Sequence, residues 1–181
     1  MKTQVFVFMG MVASGKSYLA EAIVKKTGCA YFNSDSIRKE LAGLALKSRQ
    51  WLPVDSGIYS PEMSRKTYDL MIEKAKLAIE QQVSLVIIDG SYNRAEERTW
   101  VKKHLKGLCE LCFVYCYCST DIAYARMNVR GTDTEAVSDG RPLIYEHQQK
   151  TYQLPTELEK NELINIDTDA NVAELVKKLL K

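Results

Sequence analysis

Two hydrophobic patterns alternate along the chain. Short, nearly unbroken apolar runs occupy residues 5–9, 29–33, 83–89, 108–118 and 162–166. Runs of that length read as strands buried on both faces, the habit of a parallel sheet. Between them apolar residues recur at helical spacing: Leu19, Ala22 and Ile23 within 18–27; Met71, Ala75 and Ala78 within 61–81; Trp100, Val101 and Leu105 within 94–105. Further helices are predicted at 35–41, 121–131, 142–153 and 170–181. The punctuation agrees: Gly28 as a left-handed stop, Ser60-Pro61-Glu62 as a start, and caps at Ser34 or Asp35, at Ser119-Thr120-Asp121 and at Asp167-Thr168-Asp169. Strands alternating with helices predict an α/β fold. Residues 42–59 are irregular, and 132–140 are polar and poor in large apolar side chains, a mobile stretch by composition.

The first strand runs straight into Gly-x-x-x-x-Gly-Lys-Ser, Gly10 to Ser17, and a helix follows. That context is what a phosphate-binding loop requires. A triphosphate needs many donors around a small anion, and only main-chain N–H groups pack closely enough. Gly10 and Gly15 permit the curl; Ala13, Ser14, Gly15, Lys16, Ser17 and Tyr18 bring N–H groups and the positive end of the helix to the phosphates. Lys16 is a cation for the β- and γ-phosphates, and the Ser17 hydroxyl is a ligand for Mg²⁺.

Other candidates lie where strands end, the rim on which doubly wound sheets bind ligands. Asp35 follows the second strand: either it only caps a helix, or it accepts the proton of an attacking hydroxyl. Arg38, one turn on, is placed to hold an anionic acceptor. Asp89 ends the third strand, beside Mg²⁺ or beside the acceptor. Tyr92, Asn93 and Arg98 follow on the same rim as acceptor-side candidates, while Arg65 and Tyr68 read as solvated surface. Arg126 and Arg130 share one helical face before the polar stretch. A lid over about 126–142 is expected to aim both at the γ-phosphoryl group; the alternative is a solvated helix end.

The 181 residues fit one domain, and a net charge of +2 exerts little pull on nucleic acid. No apolar run is long enough to span a membrane and no leader is evident, so a cytoplasmic location is expected. Of the five cysteines, Cys112, Cys116 and Cys118 share one strand face, Cys109 has the opposite parity and Cys29 stands apart. They read as small buried hydrophobes in a reducing compartment, not as a zinc site.

With these pieces placed, the chain resembles the phosphate-loop kinases, specifically the branch of polynucleotide 5′-hydroxyl kinases and zeta-toxin-like small-molecule kinases. Four segments carry the resemblance: 10–17, 33–38, 89–94 with Arg98, and 126–132. It implies a three-layer α/β fold with a five-stranded parallel sheet in the order 2-3-1-4-5. It implies ATP and Mg²⁺ as cofactors, Asp35 as general base, Arg38 on an acceptor phosphate, and Arg126 and Arg130 as lid arginines. The acceptor is then a hydroxyl of a small molecule, a nucleoside or a polynucleotide 5′ end. The rival is a nucleotide-hydrolysing switch protein, which has no need of Asp35 or of two lid arginines.

Overall fold

In a computed structural model of the chain, the described residues are 2–48, 50, 52, 53, 55–132, 137 and 139–181. Five strands form one sheet: β1 (Gln4–Met9), β2 (Ala30–Asn33), β3 (Leu85–Asp89), β4 (Glu110–Tyr117) and β5 (Leu163–Asp167). Their order is β2-β3-β1-β4-β5, and every neighbouring pair is parallel. This is the expected α/β fold and strand order. β1 lies at the centre, with Phe8 opposite Asp89 of β3 on one side and Val114 of β4 on the other. The carboxyl ends of all five strands therefore open on one rim, with β1 at the point where the winding reverses.

The period-two alternation of β1 splits the core into two layers. Val5, Val7 and Met9 face α2 (Ser34–Leu41), α3 (Pro61–Glu80) and α4 (Ala95–Leu105), packing with Ile37, Met71, Ala75, Val101 and Leu105. Phe6 and Phe8 face α1 (Lys16–Thr27) and α7 (Val172–Leu179), packing with Leu19, Ile23, Val176 and Leu179. A smaller cluster joins α5 (Thr120–Thr132) and α6 (Pro142–Thr151) to the loop after β1, through Val12, Ala13, Ala123, Met127 and Tyr145.

Several local expectations change in tertiary context. The cap of α2 is Asn33, whose side chain accepts from the N–H groups of Asp35 and Ser36 at 3.0 and 3.1 Å. Asp35 is thereby released from capping. The cap of α7 is Asn171, so Asp167 ends β5 and Thr168-Asp169 is a turn, not a helix start. Tyr68 is buried, not solvated, and stacks on Tyr92 with ring centroids 4.5 Å apart. Residues 57–59 form a turn of 3₁₀-helix inside the irregular stretch. Gly28 ends α1 as predicted, at φ 68° with its N–H on the Val24 carbonyl. All five cysteines are free, and among the described residues no group of three potential metal-binding side chains occurs.

Candidate active site

The loop between β1 and α1 is shaped by its backbone and then held from outside. Gly10, Ala13 and Gly15 all have positive φ, at 143°, 62° and 80°. Gly10 has no substitute, because a Cβ there would lie 2.2 Å from the Cys116 carbonyl oxygen of β4. α1 begins at Lys16, so the first N–H groups of the helix, which lack intrahelical partners, open onto the loop. Lys16 Nζ donates to the Met11 carbonyl at 3.4 Å, across the mouth of the curl.

Three elements far along the chain fasten this curl. Gln148 of α6 accepts the Val12 N–H at 2.6 Å. Thr168, in the loop after β5, donates through Oγ1 to the Ser14 carbonyl at 2.7 Å. Arg126 of α5 donates to the Ala13 carbonyl at 3.3 Å and to Thr168 at 2.9 and 2.8 Å. Arg126 was expected on the γ-phosphoryl group. It lines the main cleft and also braces the loop, where two carbonyls and a hydroxyl offer a fixed set of acceptors to its fork. Arg130, one turn further, lines the cleft and lies close enough to Glu21 for their charges to interact. A smaller groove of about 240 Å³ runs beside Arg126, between Tyr18 and Leu19 of α1 and residues 168–172.

The main cleft, of about 1400 Å³, runs along the rim from the loop to α3 and α4. Lys16, Ser17, Asp35 and Arg38 all line it, together with Ser64, Arg65, Asn93, Trp100 and Arg130. Asp35 and Arg38 form an ion pair at 3.1 Å. The second Arg38 amine reaches Ser64 Oγ at 3.4 Å, and its guanidinium lies 4.9 Å from the Tyr59 ring centroid. Arg38 is 6% exposed, yet its Nε has no hydrogen-bond partner among the described residues. A buried donor with nothing to serve is costly, so an acceptor brought by a ligand would be well received there.

Asp89 sits deeper, fully buried at the end of β3. Its Oδ2 accepts from Tyr31 and from Asn33, both at 2.8 Å, while Oδ1 has no partner among the described residues. Burial and the neighbouring Asp89 charge push the Tyr31 phenol far up, so it stays a donor. An orphaned carboxylate oxygen and the Ser17 hydroxyl are hard donors of the kind a divalent cation takes. Asp89 is not among the residues lining the cleft, so its oxygens stand behind those that do.

Two acceptor-side expectations are corrected. Tyr92 is fully buried beneath Tyr68, at φ 44°. Arg98 is also fully buried, held by Glu157 at 2.5 and 3.0 Å and by the Tyr92 carbonyl at 2.8 Å. Neither lines the cleft; Arg98 ties the rim loop to the chain after α6, and Tyr92 packs that loop onto α3. Asn93 does line it. The expected lid is described at its two ends only, since residues 133–136 and 138 lie outside the described residues. Its near end is helix α5; at its far end Arg141 donates to the Leu52 carbonyl.

Sequence reading missed Glu21, Tyr31, Tyr59 and Gln148, and took Thr168 for part of a helix cap. Glu21 lines the cleft on the helical face of Ser17, one turn on, and its carboxyl is raised by burial and by Asp89, with Arg130 opposing. A four-residue spacing from Ser17 was the available signal. The others reach the site only through sheet order and side-chain direction.

The fold and this site define a phosphate-loop protein of kinase architecture. The chain belongs to the AAA domain family, whose model matches residues 5–155. No curated protein matches it by sequence. Among solved structures it is similar to a sugar kinase from Janibacter sp., at 19% identity over 98% of this chain and 92% of that one, with a TM-score of 0.70. It is also similar to a gluconokinase from Sinorhizobium meliloti, at 20% identity over 98% and 89%, with a TM-score of 0.67. An APS kinase from Mycobacterium tuberculosis, in complex with AMPPNP and APS, matches at 17% identity over 99% and 96%, with a TM-score of 0.63. At these identities the likeness is one of fold.

Proposed function

We propose that residues 1–181 form one kinase unit that transfers the γ-phosphoryl group of ATP to a hydroxyl of a small molecule. The observation that carries this is the position of Asp35. Asn33 has taken over the capping of α2, and the freed carboxylate, paired with Arg38, lines the same cleft as Lys16. As the acceptor oxygen bonds to the γ-phosphorus and the bridge to the β-phosphate breaks, Asp35 takes the hydroxyl proton and ADP leaves. Lys16 and Arg130 balance charge on the transferring group, and the loop N–H groups hold the phosphates. Ser17 and Asp89 would hold Mg²⁺, which neutralises the phosphate oxygens when bound. Arg126 and the groove along 168–172 belong to the nucleotide side. Arg38, with its unserved Nε, holds the acceptor.

Within the kinases, the resemblance to the polynucleotide-kinase and zeta-toxin-like branch supports the assignment of Asp35 and Arg38. The acceptor class draws on other facts. The similar structures are named for sugar, gluconate and APS kinases, and the net charge of +2 gives little attraction to a polynucleotide. Among the described residues no helix is long and apolar enough to cross a membrane. Free cysteines throughout fit a reducing, cytoplasmic setting.

The test is incubation with γ-labelled ATP and a panel of sugars, sugar acids, nucleosides and 5′-hydroxyl oligonucleotides. A labelled small molecule is the expected product. Asp35→Ala should lower that transfer by about 10²- to 10⁴-fold with ATP affinity unchanged. A variant that still releases phosphate at the parent rate would identify a switch protein instead.

A further inference from the structure

We infer that Lys39, Asp139 and Tyr59 form a buried positioning device that sets Arg38, and through it Asp35, in the acceptor half of the cleft. The inference rests on the acceptor role proposed for Arg38. Arg38 and Lys39 are neighbours on α2 but serve different surroundings: Arg38 meets the cleft, and Lys39 is 0% exposed. A buried ammonium is very costly unless every proton is received. Lys39 has three partners: it donates to the Leu46 carbonyl at 3.1 Å and the Val137 carbonyl at 2.5 Å, and its charge pairs with Asp139 Oδ2 at 3.7 Å. One comes from the segment after α2 and two from the segment entering α6. Tyr59 closes the circuit, its hydroxyl donating to the same Asp139 oxygen at 2.5 Å. The face of its ring carries the Arg38 guanidinium. Tyr59 thus has one end fixed by Asp139 and the other placed under Arg38.

Apolar side chains of similar size would hold these segments together equally well. What an ion pair with directed hydrogen bonds adds is a single arrangement. Arg38 needs that help. It has one firm partner in Asp35, a long contact to Ser64 and an unserved Nε, so without a fixed ring beneath it the guanidinium has room to turn. Burial, then the Asp35 charge, pushes the Tyr59 phenol far above its ordinary value, consistent with a hydroxyl that donates at every pH of interest.

The experiment follows the Arg Nε–H signals of the whole chain by NMR, with Arg38→Lys used for assignment and buried Arg98 as internal reference. Tyr59→Phe keeps the ring and removes only the bond to Asp139; Asp139→Asn keeps the shape and removes the charge. In both, the Arg38 signal should broaden and exchange faster with water, while the Arg98 signal stays as in the parent. Equilibrium dialysis with Mg·ATP should give parent affinity. With an acceptor from the panel, KM for that acceptor should rise about tenfold against a smaller change in kcat. An unchanged Arg38 signal in Tyr59→Phe overturns the inference, and so does equal loss at Arg38 and Arg98, which marks general loosening. Failure of the parent to bind ATP would sink the kinase reading instead and leave the Arg38 result standing.

Discussion

At the scale of single residues, the loop after β1 shows how little latitude the backbone has. Gly10→Ala puts a methyl 2.2 Å from a carbonyl oxygen of the neighbouring central strand, which has nowhere to move. The expected outcome is loss of ATP binding, read by dialysis, with a fall in Tm. Thr168→Val is subtler. It removes the hydroxyl that holds Ser14 and receives Arg126, leaving those groups short of partners. Such losses cost about 1–3 kcal/mol; ATP affinity should fall about tenfold by the same measurement, with Asp35 and Arg38 untouched. Arg126→Ala should mimic it if the arginine braces the loop. A collapse of transfer with ATP affinity intact would point back to the γ-phosphoryl role.

At the scale of elements, the rim depends on ties that cross the chain. Arg98 of α4 holds the Tyr92 carbonyl and is matched by Glu157 beyond α6. Burial raises the Glu157 carboxyl, but the Arg98 hydrogen bond, a backbone hydrogen bond and the Arg98 and Lys102 charges together outweigh it and hold the group below its ordinary 4.5. A carboxyl depressed in the folded state contributes stability above its unfolded value and loses it as pH falls through the folded one. Glu157→Gln should therefore cost about 2 kcal/mol at neutral pH, with Arg98 left buried. The gap from the parent should narrow as pH falls below the ordinary 4.5 and through the folded value beneath it, as followed by thermal melts across pH. Tyr92 and Arg98 were legible as rim residues because they follow Asp89. That they point into the core and not the cleft depends on Tyr68 of α3 stacking on Tyr92 and on Leu154 and Glu157 beyond α6 receiving Arg98, which local pattern does not reveal.

At the scale of the whole molecule, the cleft has two halves supplied by different parts of the chain. The nucleotide half takes its loop from β1–α1 and its fastenings from α5, α6 and the turn after β5. The acceptor half takes Asp35 and Arg38 from α2 and its wall from Tyr59, Asp139 and Gly140. Ligand present at about a hundred times its Kd stabilises the native state by about 2.7 kcal/mol. Saturating Mg·ATP should accordingly raise Tm by roughly 5–10 °C. Lys16→Met should abolish the rise while leaving the unliganded Tm near that of the parent.

Local chemistry determined much of this protein by itself. Short unbroken apolar runs bounded by turn residues read as strands covered on both faces, and Gly-x-x-x-x-Gly-Lys-Ser between such a run and a helix reads as an anion cradle. Those two facts carried the strands, most helices and the phosphate loop, because each is written within a dozen neighbouring residues. Which side chains share the cleft was decided only in three dimensions. Asn33 displaced Asp35 from capping, Asp89 withdrew behind Tyr31 and Asn33, and Arg126 turned to brace the loop. Asp89 and Arg126 found partners 56 and 42 residues away, and such pairings are set by sheet order and not by sequence spacing; the Asn33 cap is local, two and three residues ahead of the N–H groups it receives.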